Sequence, residues 1–259
     1  MRIFIKYIFV FTIVFNLISC QPSSYFKSKN SSTPINSSIA NQEQVDSLIK
    51  PYKEKLDAEM NEVLVISAEE FPKERGKSET KLGNLVADLS LEVANELYKP
   101  IDNDSIDFCL LNFGGLRTSL PKGEITRGKV FELMPFENEL VVVTISKYAF
   151  DYMIGYIYSA GGQPISKGIT LVEYVEKNSD VLDMKFLIKE DMYRENKEFK
   201  ILTSDYLAYG GDKMNFFLDP LKIEPVGIKL RDAIIKYCVS ENKKGKQLTS
   251  KIEGRITFE

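Results

Sequence analysis

The chain has 259 residues, with 34 Lys plus Arg against 37 Asp plus Glu and a net charge of −3. Its 44% hydrophobic and 27% charged content is globular, and its mild acidity is unlike the basic surface of a nucleic-acid groove, so no nucleic-acid partner is expected. Histidine and tryptophan are both absent, which excludes Ser-His-Asp and Cys-His catalysis, histidine proton shuttles and imidazole metal ligands. Cys20, Cys109 and Cys238 are too far apart to read as a zinc motif.

Residues 1–20 place Arg2 and Lys6 ahead of an apolar run from Tyr7 to Ile18 that is broken only by Thr12 and Asn16. This is the layout of a secretory signal, and the run is short for a spanning helix. Leu17-Ile18-Ser19-Cys20 resembles a bacterial lipobox, which implies lipidation of Cys20 as the new first residue. An uncleaved membrane anchor, or a chance cysteine, is the other reading. Cleavage takes the net charge from −3 to −5, because Arg2 and Lys6 leave with the leader. Of residues 21–41, 13 are Ser, Asn, Pro or Thr, so 21–42 reads as a disordered tether. The expectation is an exported, membrane-anchored lipoprotein. Gln21 carries no Asp-type retention signal, which leans towards an outer membrane.

The region 43–259 reads as a single domain. Val45, Leu48, Ile49, Leu56 and Met60 among charges predict a surface helix over 43–60, with a kink or break at Pro51. VLVIS at 63–67 predicts a short buried strand. Leu82, Leu85, Val86, Leu89, Val93 and Leu97 share a helical face, with Thr80 as cap and Pro100 as terminator. SIDFCLLN at 105–112 predicts a strand. LVVVTI at 140–145 predicts a strand so apolar that both of its faces must be covered. Ser146 can cap a helix through Ile157. Strands are predicted at 169–175, 182–188 and 198–203, a helix from Ile228 to Cys238, and a final strand at 252–258. Helices and strands intersperse without strict alternation, so the fold class is α+β: mixed β-sheets packed with outer helices.

Four segments stand out. Glu79 to Leu85 opens a helix. Asn112-Phe113-Gly114-Gly115-Leu116-Arg117 follows a strand, and Leu133 to Asn138 precedes the most apolar one. Asp205 to Asp212, with Gly210-Gly211 inside, follows another strand. Asn-x-Gly-Gly lets the backbone turn sharply and approach a ligand, while Asn112 can donate and accept. Arg117 offers a fork for phosphate or carboxylate. Each segment also has a plain structural reading: a glycine turn beside a solvated arginine, a core phenylalanine at Phe136, and a helix end at Tyr206. Gly83 within a helical pattern costs about 1 kcal/mol against Ala, which points to a close approach there.

Together these segments, E-x-x-x-G-N-L, N-x-G-G-L-R, P-F-x-N and Y-L-A-x-G-G-D, resemble the C-terminal domain of the 5′-nucleotidase family over about residues 60–258. That domain is shared by ecto-5′-nucleotidases and periplasmic UDP-sugar hydrolases. The resemblance implies a nucleoside clamp. Phe136 and Tyr206 sandwich the base, Asn112 faces it, Asp212 takes the ribose hydroxyls and Arg117 faces the phosphate. Gly114, Gly115, Gly210 and Gly211 shape the loops. Arg75 stands one residue from the position of a further family arginine. Phe113 and Lys213 replace residues that are usually small and Gly.

The family's full-length enzymes add a two-metal phosphoesterase domain that needs histidine. The expectation is therefore that this chain holds no catalytic residue, metal or cofactor of its own. Divalent metals would come with a separate metallophosphoesterase polypeptide that completes a hydrolase of nucleotide catabolism. A non-catalytic surface lipoprotein that binds nucleotides or nucleosides is the alternative, and a pure interaction module a third reading.

Overall fold

A computed structural model describes residues 31–36, 39–40, 42–100, 104–178, 181–188 and 198–258. The expected leader, Cys20 and most of the expected tether therefore lie outside the described residues. The chain divides into two units, Met1–Ile49 and Lys50–Glu259. In the first, Ile39 N–H donates to the Asn36 carbonyl at 3.1 Å. Helix α1 (Glu43–Met60) has no buried residue and runs unbroken through Pro51. On so exposed a helix, water can satisfy the carbonyl that proline leaves without a partner.

The second unit follows the order β1 (Val63–Ser67), α2 (Lys81–Leu97), β2 (Phe108–Cys109), β3 (Gly123–Thr126), α3 (Arg127–Leu133), β4 (Glu139–Ile145) and α4 (Lys147–Ser159). It continues with β5 (Leu171–Asn178), β6 (Val181–Ile188), β7 (Phe199–Ser204), α5 (Asp205–Ala208), β8 (Lys222–Lys229), α6 (Leu230–Lys243) and β9 (Ile256–Phe258). Among the described residues three sheets form, ordered β1-β3, β2-β7-β4-β8 and β6-β5-β9. Both larger sheets are mixed: β2 runs parallel to β7 and β9 parallel to β5, while the other pairs are antiparallel. The class is α+β, as the interspersed pattern predicts.

The four-stranded sheet separates two apolar cores. Along β4, Leu140 and Val142 join one core while Val141, Val143 and Ile145 join the other. The alternation continues on β7, where Leu202 takes the first side and Ile201 the second. Helices α2 and α6 cover the first face, and α4 with the short turn Asn215–Phe217 covers the second. The uninterrupted apolar run of β4 thus has its predicted cause: both faces are covered.

Local chemistry starts the helices where expected. The Thr80 hydroxyl accepts from Gly83 N–H at 2.9 Å, and that of Ser146 from Ala149 N–H at 3.3 Å. The predicted strand at 105–112 shortens to Phe108–Cys109, although Leu110 N–H still reaches the Leu202 carbonyl at 2.9 Å. Strand β8 and the β3–α3 pair lie where the periodicity predicts nothing.

Candidate functional site

Topology gathers three of the four segments. Parallel β2 and β7 end together, and antiparallel β4 begins beside them, with Leu140 opposite Ser204. Asn112 lies three residues past β2, Tyr206 two past β7, and Phe136 three before β4. All three therefore emerge at the same end of the sheet's strands. They line one cleft of about 290 Å³ with Gly114, Gly115, Arg117, Asn138 and Asp212.

Asp212 is the hub. Asn112 Nδ2 donates to its Oδ2 at 2.5 Å and the Tyr206 hydroxyl to its Oδ1 at 3.0 Å. The Tyr156 hydroxyl donates to its backbone carbonyl at 2.8 Å. Burial, reinforced by the Asp212 charge, pushes the Tyr156 phenol above its ordinary pKa, so it stays a neutral donor. A carboxylate oriented by two neutral donors has lone pairs left for further hydroxyls.

The glycines here have distinct tasks. A Cβ on Gly114 would stand 3.0 Å from Asp212 Oδ2, and one on Gly115 2.8 Å from Asn112 Oδ1. Gly210 adopts φ +85°, and a Cβ on Gly211 would meet the Tyr206 ring at 2.5 Å. Gly114 and Gly115 therefore line the cleft, while Gly210 and Gly211 make the turn that returns Asp212 to Tyr206. Asp212 and Lys213 are the non-glycine residues with positive φ among the described ones, at +51° and +63°. Left-handed backbone is what a glycine at 213 would relieve.

Phe136 is 39% exposed and Tyr206 47%, so neither ring is core. Among the described residues neither ring pairs with another aromatic ring. The Arg117 guanidinium lies 5.8 Å from the Phe136 ring centroid. Arg75 stands apart, in a neighbouring cleft of about 310 Å³ with Lys73, Phe113 and Thr80; Gly114 lines both clefts. Burial lowers the Lys73 amine pKa, and the charges of Arg117 and Arg75 lower it further. The three cations thus form one electropositive region across the two clefts.

The E-x-x-x-G-N-L segment has an architectural part. A Cβ on Gly83 would stand 3.2 Å from Phe113 Cε1, so its absence seats the residue after Asn112. Asn84 Nδ2 donates to Glu79 at 2.6 Å and to the Lys251 carbonyl at 2.7 Å. Asn138, Tyr156 and Gln163, whose Oε1 accepts from Phe113 N–H at 3.0 Å, are site residues that sequence reading missed. Asn138 sits in the quoted P-F-x-N segment, and that was its signal. Tyr156 and Gln163 are ordinary residues on and after α4 and carry none. Among the described residues no three Asp, Glu, Cys or His side chains converge so as to hold a metal ion. The donor set of a two-metal centre is not found there.

Comparison with known proteins follows the same lines. The family model described as "5'-nucleotidase, C-terminal domain" matches residues 62–147, which include Asn112, Arg117 and Phe136. The chain is 28% identical over 188 residues to the trifunctional nucleotide phosphoesterase protein YfkN of Bacillus subtilis, covering 69% of this chain and 12% of that one. It is 25% identical over 178 residues to protein UshA of Escherichia coli (67% and 30% covered), and 26% identical over 239 residues to an apyrase of Tabanus yao (86% and 42% covered). The chain thus spans between 12% and 42% of the length of these relatives. Its fold matches a 5′-nucleotidase precursor from Thermus thermophilus with a TM-score of 0.63 and 21% identity, over 83% of this chain and 43% of that one. It matches the NAD nucleotidase of Haemophilus influenzae with a TM-score of 0.55 and 16% identity, over 84% and 41%. Sequence match and fold agree: residues 62–147 match the 5′-nucleotidase C-terminal domain, and the chain shares the fold of the two nucleotidase structures.

Proposed function

We propose that the cleft is a nucleotide clamp, with the base between Phe136 and Tyr206, the ribose hydroxyls on Asp212 and the phosphate towards Arg117. The observation that carries this reading is the convergence of Asn112, Arg117, Phe136, Tyr206 and Asp212 on one cleft from segments far apart in sequence. A flat heterocycle stacked on an aromatic ring gains about 1–3 kcal/mol per base, whatever the base. The Asp212 carboxylate, oriented by Tyr206 and Asn112, suits a vicinal diol. The cations at 73, 75 and 117 suit an anionic tail. The relatives' names, a nucleotide phosphoesterase and an NAD nucleotidase among them, support a nucleotide ligand.

The wider proposal is a split hydrolase of nucleotide catabolism. An exported metallophosphoesterase polypeptide supplies the divalent metals, and this chain supplies the clamp. A lipid on Cys20 and the 21–42 tether hold it at a membrane. Calorimetry with AMP, adenosine and a UDP-sugar tests the clamp. Binding is expected, and Phe136→Ala with Tyr206→Ala abolishes it while the protein still melts cooperatively. Heats equal to buffer for every ligand on the native chain reject the clamp. Phosphate release from AMP by candidate exported phosphoesterases, with and without this chain, tests the partnership. An unchanged rate and KM for every candidate leaves the non-catalytic nucleotide-binding lipoprotein.

A further inference from the structure

The loop that carries Phe136 is irregular: Met134 closes α3 and β4 begins only at Glu139. Such backbone has no hydrogen-bond ladder of its own, so a ring on it is ordered only by what grips its neighbours. The loop is gripped on both sides. Arg117 N–H donates to the Leu133 carbonyl at 2.8 Å, and Leu230 N–H to the Asn138 carbonyl at 2.9 Å. Between these points, Glu137 receives Lys229 Nζ on Oε2 at 2.5 Å and Arg231 Nη2 on Oε1. Arg231 Nη1 also reaches the Phe136 carbonyl at 3.4 Å. Arg231 is only 6% exposed, and its guanidinium lies 4.1 Å from the Phe131 ring centroid. A buried, stacked guanidinium is already immobile, so gripping a carboxylate takes little further ordering.

We infer that Glu137, held by Arg231 and Lys229, is the positioning residue that fixes the Phe136 loop and so presents the ring to a flat ligand. Glu137 lies between two residues of the cleft lining, Phe136 and Asn138, without belonging to that lining itself. An ion pair exposed on both sides contributes little to stability. This one has a buried partner that also touches the Phe136 carbonyl, so its effect falls on geometry. The ligand in this inference rests on the nucleotide reading, whereas the ordering of the ring does not.

The experiment separates the two. The chain has no tryptophan, so Phe136→Trp places a single fluorescent reporter on the loop. Time-resolved anisotropy of the full chain carrying F136W is compared with F136W/E137A, without ligand. The amplitude of fast local motion is expected to rise about twofold when Glu137 is removed. An unchanged decay overturns the inference, whatever the ligand. AMP titration then reads the consequence. E137A is expected to raise Kd about fivefold and E137Q about twofold, whereas on a Phe136→Ala background E137A changes Kd less than about twofold. Equal losses on both backgrounds also overturn the inference, because Glu137 would then act otherwise than through the ring. If the native chain binds no AMP, the nucleotide reading falls, and the anisotropy comparison still decides whether Glu137 orders position 136.

Discussion

Tyr206 combines two contributions in one side chain: its ring walls the cleft and its hydroxyl holds Asp212 Oδ1. Tyr206→Phe keeps the ring and releases the carboxylate, so AMP affinity should fall about three- to tenfold, the net worth of one solvent-exposed hydrogen bond. Tyr206→Ala loses the stack as well and should fall at least about thirtyfold. Calorimetry that finds equal losses for the two variants would remove the hydroxyl from this account. Gly211→Ala belongs to the same scale. The new Cβ would stand 2.5 Å from both the Tyr206 ring and the Tyr206 carbonyl oxygen, and backbone cannot retreat like a flexible side chain. Urea unfolding should show a loss of about 2–3 kcal/mol. At this scale the candidates Asn112, Arg117, Phe136, Tyr206 and Asp212 were legible because their motifs are specific. Tyr156 was not, since nothing local distinguishes a tyrosine that binds a distant carbonyl.

Among the elements, α2 and β4 were legible from local pattern because each is dominated by one period or by unbroken apolarity. Their caps were equally local. Thr80→Ala leaves Gly83 N–H without its partner and should cost about 1 kcal/mol in urea unfolding, while Thr80→Ser should cost well under half of that. Strand β8 was illegible for a physical reason. It is an edge strand whose side chains bury only Val226, so no alternation marks it. Pro225, opposite Val141, is tolerated there because an edge strand can lack an N–H, and the register slips by Gly227 at φ +83°. The β3–α3 pair is short and buries little besides Ile125, Val130 and Leu133. The acid response of the Phe136 loop also belongs here. Hydrogen bonds from Lys229 and then Arg231 hold the Glu137 carboxyl down at about 2. A depressed carboxyl stabilises above its ordinary range, and the effect is lost only as pH falls through the folded value. Wild type and E137Q should therefore differ in AMP affinity at pH 7 by the same factor as at pH 5, and converge only towards pH 2.

Across the whole molecule the two cores on opposite faces of one sheet carry the stability, and both cysteines of the described region are buried free thiols. Burial pushes the Cys238 thiol up to about 12 and raises Cys109 as well; burial also pushes the Tyr237 phenol up to about 12. Groups with raised folded values stabilise fully below their unfolded values and lose that contribution as pH rises. Thermal melts should thus show a falling midpoint from about pH 9 upward. Neither Cys109 nor Cys238 should react with a thiol reagent until the protein is unfolded. The chain end is tied in by Arg255, 3% exposed, which binds Asp88 through both terminal nitrogens at 2.8 and 2.9 Å and also Glu253. Arg255→Met removes this double grip, leaves Asp88 with only the Lys167 contacts among the described residues, and should cost about 2–3 kcal/mol in urea unfolding.

Local sequence is enough to set which interior stretches become helix and strand, because hydrophobic period and capping chemistry act over a few residues. It also carried the four motifs that resemble a nucleotide clamp. That three of these motifs meet is a property of the folded chain alone. That meeting depends on β2 and β7 ending where antiparallel β4 begins, a pairing between residues far apart in the chain. The same pairing left Arg75 in the adjoining cleft and brought Arg231 from α6 to the Phe136 loop. Strand pairing and ion-pair partners are long-range choices, and no local pattern records them.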